Sequence, residues 1–348
     1  MKAAVLYGND DIRYADWPDP ELPAGKVKIA VKASGICGSD VPRVLYGGAH
    51  YYPIVLGHEF SGTVAEVGEG VTSLKVGDTV TAAPRVPCLK CRDCLAGNIA
   101  QCGNDSFIGS REQGSFAEYI AIPELNAVRY DPSVSFEHAV FFEPATVALR
   151  GILNCGFSGG GHTAIIGCGT IGLFAAQWAR IFGARTVSVF DVDSERLGVA
   201  KALGVCHAFD SGREGFIEDA TGATGGMGYD YVIDAVGNNA TLVTALKLAA
   251  AKARVSLVGT PHDTVSFTKT EWELINRKEI WIRGCWQSYS APFPGREWEL
   301  TAECLADGRL RVEDSFIFRK YRLDEAKAAF DLFKNPSQVH GKVLLVNG

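Results

Sequence analysis

The stretch PCLKCRDCLAGNIAQC, residues 87–102, holds four thiols: Cys88, Cys91, Cys94 and Cys102. The remaining cysteines of the chain's ten are scattered. The spacing Cys-x2-Cys-x2-Cys-x7-Cys suits four thiolates around one ion, a closed tetrahedral zinc site. Lys90 and Arg92 lie among them and offset part of the negative charge. An iron–sulfur cluster is the rival, because the first three cysteines share ferredoxin-like spacing. Against it, the last gap is long and no proline follows Cys102. A closed site has no open position for substrate, so its role would be structural, with metal binding acting as folding energy for the loop. Disulfides fit poorly, because the opening MKAAVLYGND lacks a long apolar core and soon meets acids. No secretory leader is therefore expected, and a cytoplasmic location keeps thiols reduced.

A second set of ligand types is more dispersed. SGICGSD places Cys37 after a strand-like run, GHEFSG places His58 and Glu59, and FFEPAT places Glu143. Cysteine, histidine and carboxylate together are zinc ligands of the catalytic kind, with one position left open. Taken singly, a cysteine in a glycine loop or a lone histidine is usually structural.

The third constellation is GCGTIG, with Gly167, Gly169 and Gly172, followed nineteen residues later by Asp191. An apolar strand precedes it and Thr170 and Ile171 open a helical run, as the dinucleotide fingerprint requires. Gly167 permits the tight turn, Gly169 lets backbone approach a pyrophosphate, and Gly172 lets helix and strand pack closely. The helix N-terminus favours the phosphates. Asp191 would accept from the ribose hydroxyls and repel a 2′-phosphate, favouring NAD over NADP; Arg196 nearby pulls the other way. The plain alternative is a glycine turn that merely packs.

These groups need two different frameworks. Residues 1–150 are rich in short β-like runs, such as VKIAVKASG (27–35), FSGTVAEVGEG (60–70) and GDTVTAAP (77–84). The character changes at the glycine-rich GILNCGFSGGGH (151–162). The following stretch to Asp191 reads strand, turn, helix, strand, with Ile171, Phe174, Ala175, Trp178, Ile181 and Phe182 on the helix face. Strand-like runs at 229–237 and 253–259 flank a helical run at 240–251, so a parallel sheet is expected. The predicted division is a β-rich domain over 1–150, a cofactor domain over 151–284, and a segment 285–348 that returns to the first with a helix (LDEAKAAFDLFKN) and a strand (GKVLLV). The chain of 348 residues is 47% hydrophobic and 21% charged, ordinary for packed globular domains. Its net charge of −6 argues against a nucleic-acid partner. The most apolar run, 163–182, is broken by glycines, Gln177 and Arg180, so no membrane span is expected.

Taken together, GHEFSGTVAEVGEGV, CGSD, the four-cysteine lobe and GCGTIG resemble, in order and spacing, the zinc-dependent medium-chain alcohol dehydrogenases across essentially the whole chain. FFEP with Glu143 is similar to the polyol branch. GAHYYPIVLGHEFSG, FIGSREQGSFAEYI and WQSYSAPFPGREWE resemble its galactitol-1-phosphate 5-dehydrogenase group. The resemblance implies an α/β fold: a β-rich GroES-like catalytic domain plus a Rossmann doubly wound parallel-sheet cofactor domain. It implies two zinc ions per chain, NAD, and a homodimer or homotetramer, with ELINRKEIWIRGCW as a possible edge strand. It carries Cys37 and His58 over as catalytic-zinc ligands. Glu59 and Glu143 become carboxylates that ligate directly, through water or by exchange, and Ser39 the hydroxyl that starts proton removal. Two positions depart from the pattern. Pro42 stands where classical members carry a relay histidine, so the proton must leave another way, water being one route. Arg150 stands where close relatives often show histidine, which could alter the pocket.

The expected reaction is oxidation of a secondary hydroxyl of a sugar alcohol or its phosphate, galactitol 1-phosphate to tagatose 6-phosphate being the favoured case. The metal and the nicotinamide would face one another across an interdomain cleft. Tyr51, Arg111 and Glu118 are candidates for hydroxyl contacts, and Arg43, Arg111 and Arg296 for a phosphate, against the plainer reading of each arginine as a solvated surface cation. Phe107, Trp286 and Tyr289 could line the cleft or simply pack. A free-polyol (sorbitol- or altritol-like) or threonine-type dehydrogenase would use the same machinery. A non-catalytic NAD-binding protein would be expected to have lost zinc ligands, and all four candidates are present.

Overall fold

The structure, a computed structural model, describes residues 1–347 of the chain. Two compact units emerge: Met1–Glu143 with Tyr289–Gly308 and the stretch from Val312 onward, and Pro144–Ser288 with Arg309–Arg311.

The first unit opens with β1 (Lys2–Gly8), β2 (Asp11–Asp16), β3 (Lys26–Gly35), β4 (Ile54–Val55), β5 (Glu59–Val67), β6 (Thr79–Ala82), β7 (Arg85–Val86), β8 (Ser106–Phe107), β9 (Tyr119–Pro123) and β10 (Ala127–Arg129). In β3, Val27, Ile29, Val31 and Ala33 alternate with lysines and small residues, so one face is buried throughout. That face meets Phe60, Val64, Val80, Ile120 and Ile122 in one core. The expected strands at 60–70 and 77–84 are shorter than their apolar patterns. β5 stops at Val67, where Gly68 N–H bonds Lys26 O and Gly70 turns with φ +81°.

The second unit is a parallel sheet of β11 (His162–Ile166), β12 (Thr186–Asp191), β13 (His207–Asp210), β14 (Tyr229–Asp234), β15 (Ala249–Leu257) and β16 (Trp281–Gly284), ordered β13-β12-β11-β14-β15-β16. Its central strand β11 is buried at every residue, as parallel strands covered on both faces are. The helix Thr170–Ile181 packs on it and buries Leu173, Phe174 and Trp178. The helix expected over 240–251 ends at Leu248, and the alanines after it open β15. Ala249 pairs with Tyr229, and the register then shifts so that Tyr231 meets Arg254, with Lys252 at φ +61° in the intervening stretch.

The chain then returns to the first unit with β17 (Ile317–Arg322) and β18 (Lys342–Val346), completing the order β10-β6-β5-β3-β18-β17, with β9 also on β3. The far edge of β3 is shared: β9 covers Lys26–Ala30 and β18 covers Ala33–Gly35. The helix expected at 323–335 is three short turns, of which Ala326–Asp331 is α-helical. Phe330 of that turn meets Phe116 edge-on at 5.9 Å, in a core with Val5, Leu6, Val44 and Leu345.

The unit boundaries differ from those expected at 150 and 284. The helix Phe142–Asn154 changes allegiance after its second residue, and Ala145 O accepts the Trp178 indole N–H at 2.9 Å. Arg309–Arg311 belong to the second unit because Gln177 exchanges two hydrogen bonds with the Arg311 backbone.

Candidate active site and metal centres

Sheet register gathers the first site. Gly35 of β3 lies opposite Glu59 of β5 on one side and Leu344 of β18 on the other. Cys37 follows Gly35 by two residues, His58 precedes Glu59, and Lys342 precedes Leu344 by two. A Cβ on Gly35 would fall 2.7 Å from Glu59 Oε2, so only glycine leaves the carboxylate its place. Gly57, with φ +97°, makes the turn that delivers His58, and a Cβ there would strike Phe116 and Ser115. Phe107 closes one side, edge-on to the imidazole at 5.5 Å.

One ligand atom each from Cys37, His58 and Glu59 lie within 4.8 Å of one another. Glu143 is not among those three. It is the last residue of the first unit, near enough to feel the charges of His58, Glu59 and Lys342. Burial, reinforced by Glu59 and only partly offset by His58, pushes its carboxyl up to about 7. Burial alone would depress the His58 imidazole, yet Asp40 and Cys37 hold it well above its ordinary value. The pocket's field therefore favours a cation. Asp40 Oδ1 and His58 Nδ1, both buried, have no hydrogen-bond partner among the described residues. Sulfur, imidazole and carboxylate donors around such a field fit a divalent metal with an open coordination position.

The surrounding groups set the ligands' orientation. Asp40 is fully buried, accepts from Cys37 N–H at 3.1 Å, and approaches His58 Nδ1 to 3.6 Å. Lys342 donates to Glu59 Oε2 at 2.6 Å and points its ammonium at Ile36 O, 3.5 Å away. Ser39 Oγ donates to Cys37 Sγ at 3.3 Å.

The four-cysteine lobe forms a second centre. A short helix, Arg92–Leu95, carries Cys94, and a 3₁₀ turn, Ile99–Gln101, delivers Cys102. Cys102 Sγ lies 3.5 Å from Cys88 Sγ and 3.9 Å from Cys91 Sγ, and all four sulfurs are mutually within 4.8 Å. Sulfurs at the corners of a tetrahedron around zinc, with Zn–S about 2.3 Å, stand about 3.8 Å apart. An iron–sulfur cluster places several atoms between its cysteines and needs a wider cage, so the spacing fits a single ion. The Lys90 backbone N–H lowers the Cys88 thiol to about 6, and burial pushes Cys94 up to about 12.

In the second unit, Gly167 takes φ +93° after β11 and donates to Phe190 O at 2.7 Å. A Cβ on Gly172 would overlap Gly167 O, whereas Gly169, the N-cap of the helix opened by Thr170 and Ile171, faces open space. Asp191 ends β12. Its Oδ2 accepts from Cys168 N at 2.6 Å and its Oδ1 from Asp193 N at 2.9 Å, so the loop itself fixes the carboxylate. Arg196 approaches Asp193, its Nε 3.6 Å from Oδ2. The cradle fits a dinucleotide: an open glycine at a helix N-terminus, with an acid at the next strand end.

The remaining candidates are dispersed. Glu118 accepts from Lys2 N at 2.6 Å, and Arg111 pairs with Asp105 at 3.1 Å. Tyr51 is exposed, as is Trp286. Tyr289 is buried, and its hydroxyl accepts from Arg85 N at 3.1 Å. Arg296 opens a helix, its N–H on Ser290 Oγ, and Arg150 is half-buried in the helix Phe142–Asn154.

Compared with known proteins, residues 23–132 match the alcohol dehydrogenase GroES-like domain and residues 170–303 the zinc-binding dehydrogenase family. Galactitol 1-phosphate 5-dehydrogenase of Escherichia coli strain K12 is 37% identical over 347 residues, covering 99% of this chain and 100% of the relative. The chain belongs to the zinc-binding medium-chain alcohol dehydrogenases. Sorbitol dehydrogenase of Bacillus subtilis, another member, is 31% identical over 96% of this chain and 95% of its own. The crystal structure of galactitol-1-phosphate dehydrogenase from E. coli superposes with a TM-score of 0.94 at 36% identity, covering 100% of both chains. The chain is thus an enzyme of this family, and within it of the polyol dehydrogenases.

Asp40 and Lys342 went unassigned in the sequence reading. Lys342 left one trace, a lysine opening the apolar run KVLLV. Asp40 left another, an acid in CGSD beside a ligand cysteine.

Proposed function

We propose that this chain oxidises the secondary hydroxyl of a sugar-alcohol phosphate with NAD, galactitol 1-phosphate to tagatose 6-phosphate being the favoured substrate and product. The observation that carries the reading is the convergence of Cys37, His58 and Glu59, set by the register of β3 and β5. Full-length similarity to an enzyme named for galactitol 1-phosphate supports the substrate.

Cys37, His58 and Glu59 would hold the catalytic zinc, with Glu143 close by for exchange or a water-borne contact. Cys88, Cys91, Cys94 and Cys102 would hold the structural zinc. When bound, zinc supplies Lewis acidity to the substrate hydroxyl and NAD supplies the hydride acceptor. Ser39 takes the hydroxyl proton; it is exposed, so the proton passes on to water, consistent with Pro42 offering no relay. Lys342 holds Glu59 and limits the pocket's net negative charge. In the second unit, Gly167, Gly169 and Gly172 admit the pyrophosphate to the helix N-terminus at Thr170 and Ile171. Asp191 receives the ribose and repels a 2′-phosphate, and Arg196, beside Asp193, is kept near it.

The test is steady-state kinetics with NAD and NADP on galactitol 1-phosphate, free galactitol, sorbitol and threonine. The phosphorylated polyol with NAD should give the highest kcat/KM. A higher value for a free polyol or threonine would replace the substrate. Cys37→Ser should abolish turnover yet still bind NADH, seen by fluorescence titration, and near-normal turnover in that variant would remove the metal mechanism.

A further inference from the structure

The sequence shows what Pro42 withholds from the proton path but not what takes over. The next residue does something specific. Arg43 lies in the short helix Asp40–Leu45, four residues after Ser39 at its N-cap, so its side chain folds back over Ser39. Arg43 Nη1 donates to Ser39 O at 2.6 Å and to Ser39 Oγ at 2.9 Å. It also sits 3.6 Å from the fully buried Asp40 Oδ1, and its side chain is only 20% exposed. The guanidinium is therefore not the solvated surface cation that its type suggests.

We propose that Arg43 is a positioning residue for proton transfer, locking the Ser39 hydroxyl in the orientation that serves the metal-binding pocket. The inference rests on the reading of Ser39 given under Proposed function. A hydroxyl has one proton and two lone pairs. Ser39 spends its proton on Cys37 Sγ and one lone pair on Arg43, which leaves one lone pair for a substrate hydroxyl. During oxidation the substrate O–H proton enters that lone pair while Ser39's own proton leaves Cys37 Sγ for water, so one proton arrives, one departs and the hydroxyl is restored. NAD, when bound, would accept the carbinol hydride, which balances the alcohol's conversion to a ketone. Arg43 keeps its protons throughout, as a guanidinium must. Without it, an exposed serine has three staggered rotamers available, of which one addresses Cys37.

The rival role for Arg43 is to bind the substrate's phosphate. The observed geometry favours positioning, because Nη1 faces the helix start and Asp40. Both contacts to Ser39 come from this one nitrogen, so an ammonium should replace it in part.

The experiment compares Arg43→Ala and Arg43→Lys with wild type on one polyol, phosphorylated and unphosphorylated, alongside zinc content and a crystal structure of Arg43→Ala. The alanine variant should lose about ten- to a hundredfold in kcat with KM changed less than about threefold on both substrates. The lysine variant should recover much of that loss. Zinc content should stay at two per chain, and the crystal should show Ser39 Oγ rotated off Cys37 Sγ. The proposal is overturned if kcat is unchanged in Arg43→Ala, if KM rises for the phosphorylated polyol alone, if lysine restores nothing, or if Ser39 Oγ stays on Cys37 Sγ. Failure of the zinc reading is separable: Cys37→Ser would then stay active, whereas the crystallographic result bears on Arg43 regardless of turnover.

Discussion

Glu59 and Lys342 are 2% and 8% exposed, so their ion pair is a buried one in which each charge depends on the other. Breaking such a pair from one side leaves an uncompensated charge and costs about 3–5 kcal/mol. In the zinc-free protein, where no metal can compensate Glu59, Lys342→Ala should therefore lower the free energy of unfolding in urea by roughly that amount, beyond what loss of a side chain on a strand would give. A cost under about 1 kcal/mol would mean that Glu59 finds its countercharge elsewhere. At this scale the sequence was readable where chemistry is carried by residue type. Cysteine, histidine and glutamate announce metal ligation; lysine and arginine announce nothing specific. Lys342 and Arg43 act through partners that only folding supplies, one across a sheet and one around a helix turn. Glu143 stands beside the trio of donors that the sheet gathers, close enough to feel the charges of His58 and Glu59.

The four-cysteine lobe is the element whose spacing said most, because all its ligands fall within one local segment. Its regular structure is slight: four residues of helix, one 3₁₀ turn and the two-residue pair β7–β8. Arg85 reaches Cys102 O and Asp105, and an ion held by the four sulfurs would add its binding energy to the fold of the lobe. Cys94→Ser should bind one zinc per chain instead of two, by elemental analysis. It should also expose the lobe to proteolysis between residues 88 and 102 while leaving NADH binding by the second unit intact. Elements elsewhere were legible in kind and less so in extent. Alternation located β3 and β5, and the glycine turn located β11, its helix and β12. The end of β5 depended on a hydrogen bond from Gly68 to Lys26, and the start of β15 on pairing with Tyr229. Such bounds are set by neighbours distant in sequence, which local propensity does not contain.

At the scale of the whole molecule, the return of the chain to its first unit was expected, and the exchange points were not. They are marked by contacts between residues distant in sequence, Trp178 with Ala145 O and Gln177 with the Arg311 backbone. β16 is the edge of the parallel sheet, exposed at all four residues, with Trp281 68% and Ile282 40% exposed and Arg254 against the Trp281 ring at 5.3 Å. A long-lived bare edge bearing large apolar groups invites another strand. The expected outcome is that two copies pair along β16. Sedimentation velocity should give a dimer or larger, and Trp281→Lys should shift it toward monomer; a wild-type monomer at micromolar concentration would remove the idea.

The ion pair between Glu59 and Lys342 spans 283 positions of sequence. A ribosome delivers Cys37, His58 and Glu59 early and then builds all of the second unit before Lys342 appears. The nascent chain can fill the cysteine lobe from neighbouring residues while translation continues. The metal-binding pocket acquires its lysine only after the second unit's sheet has been made, so its charge balance waits on a segment distant in sequence.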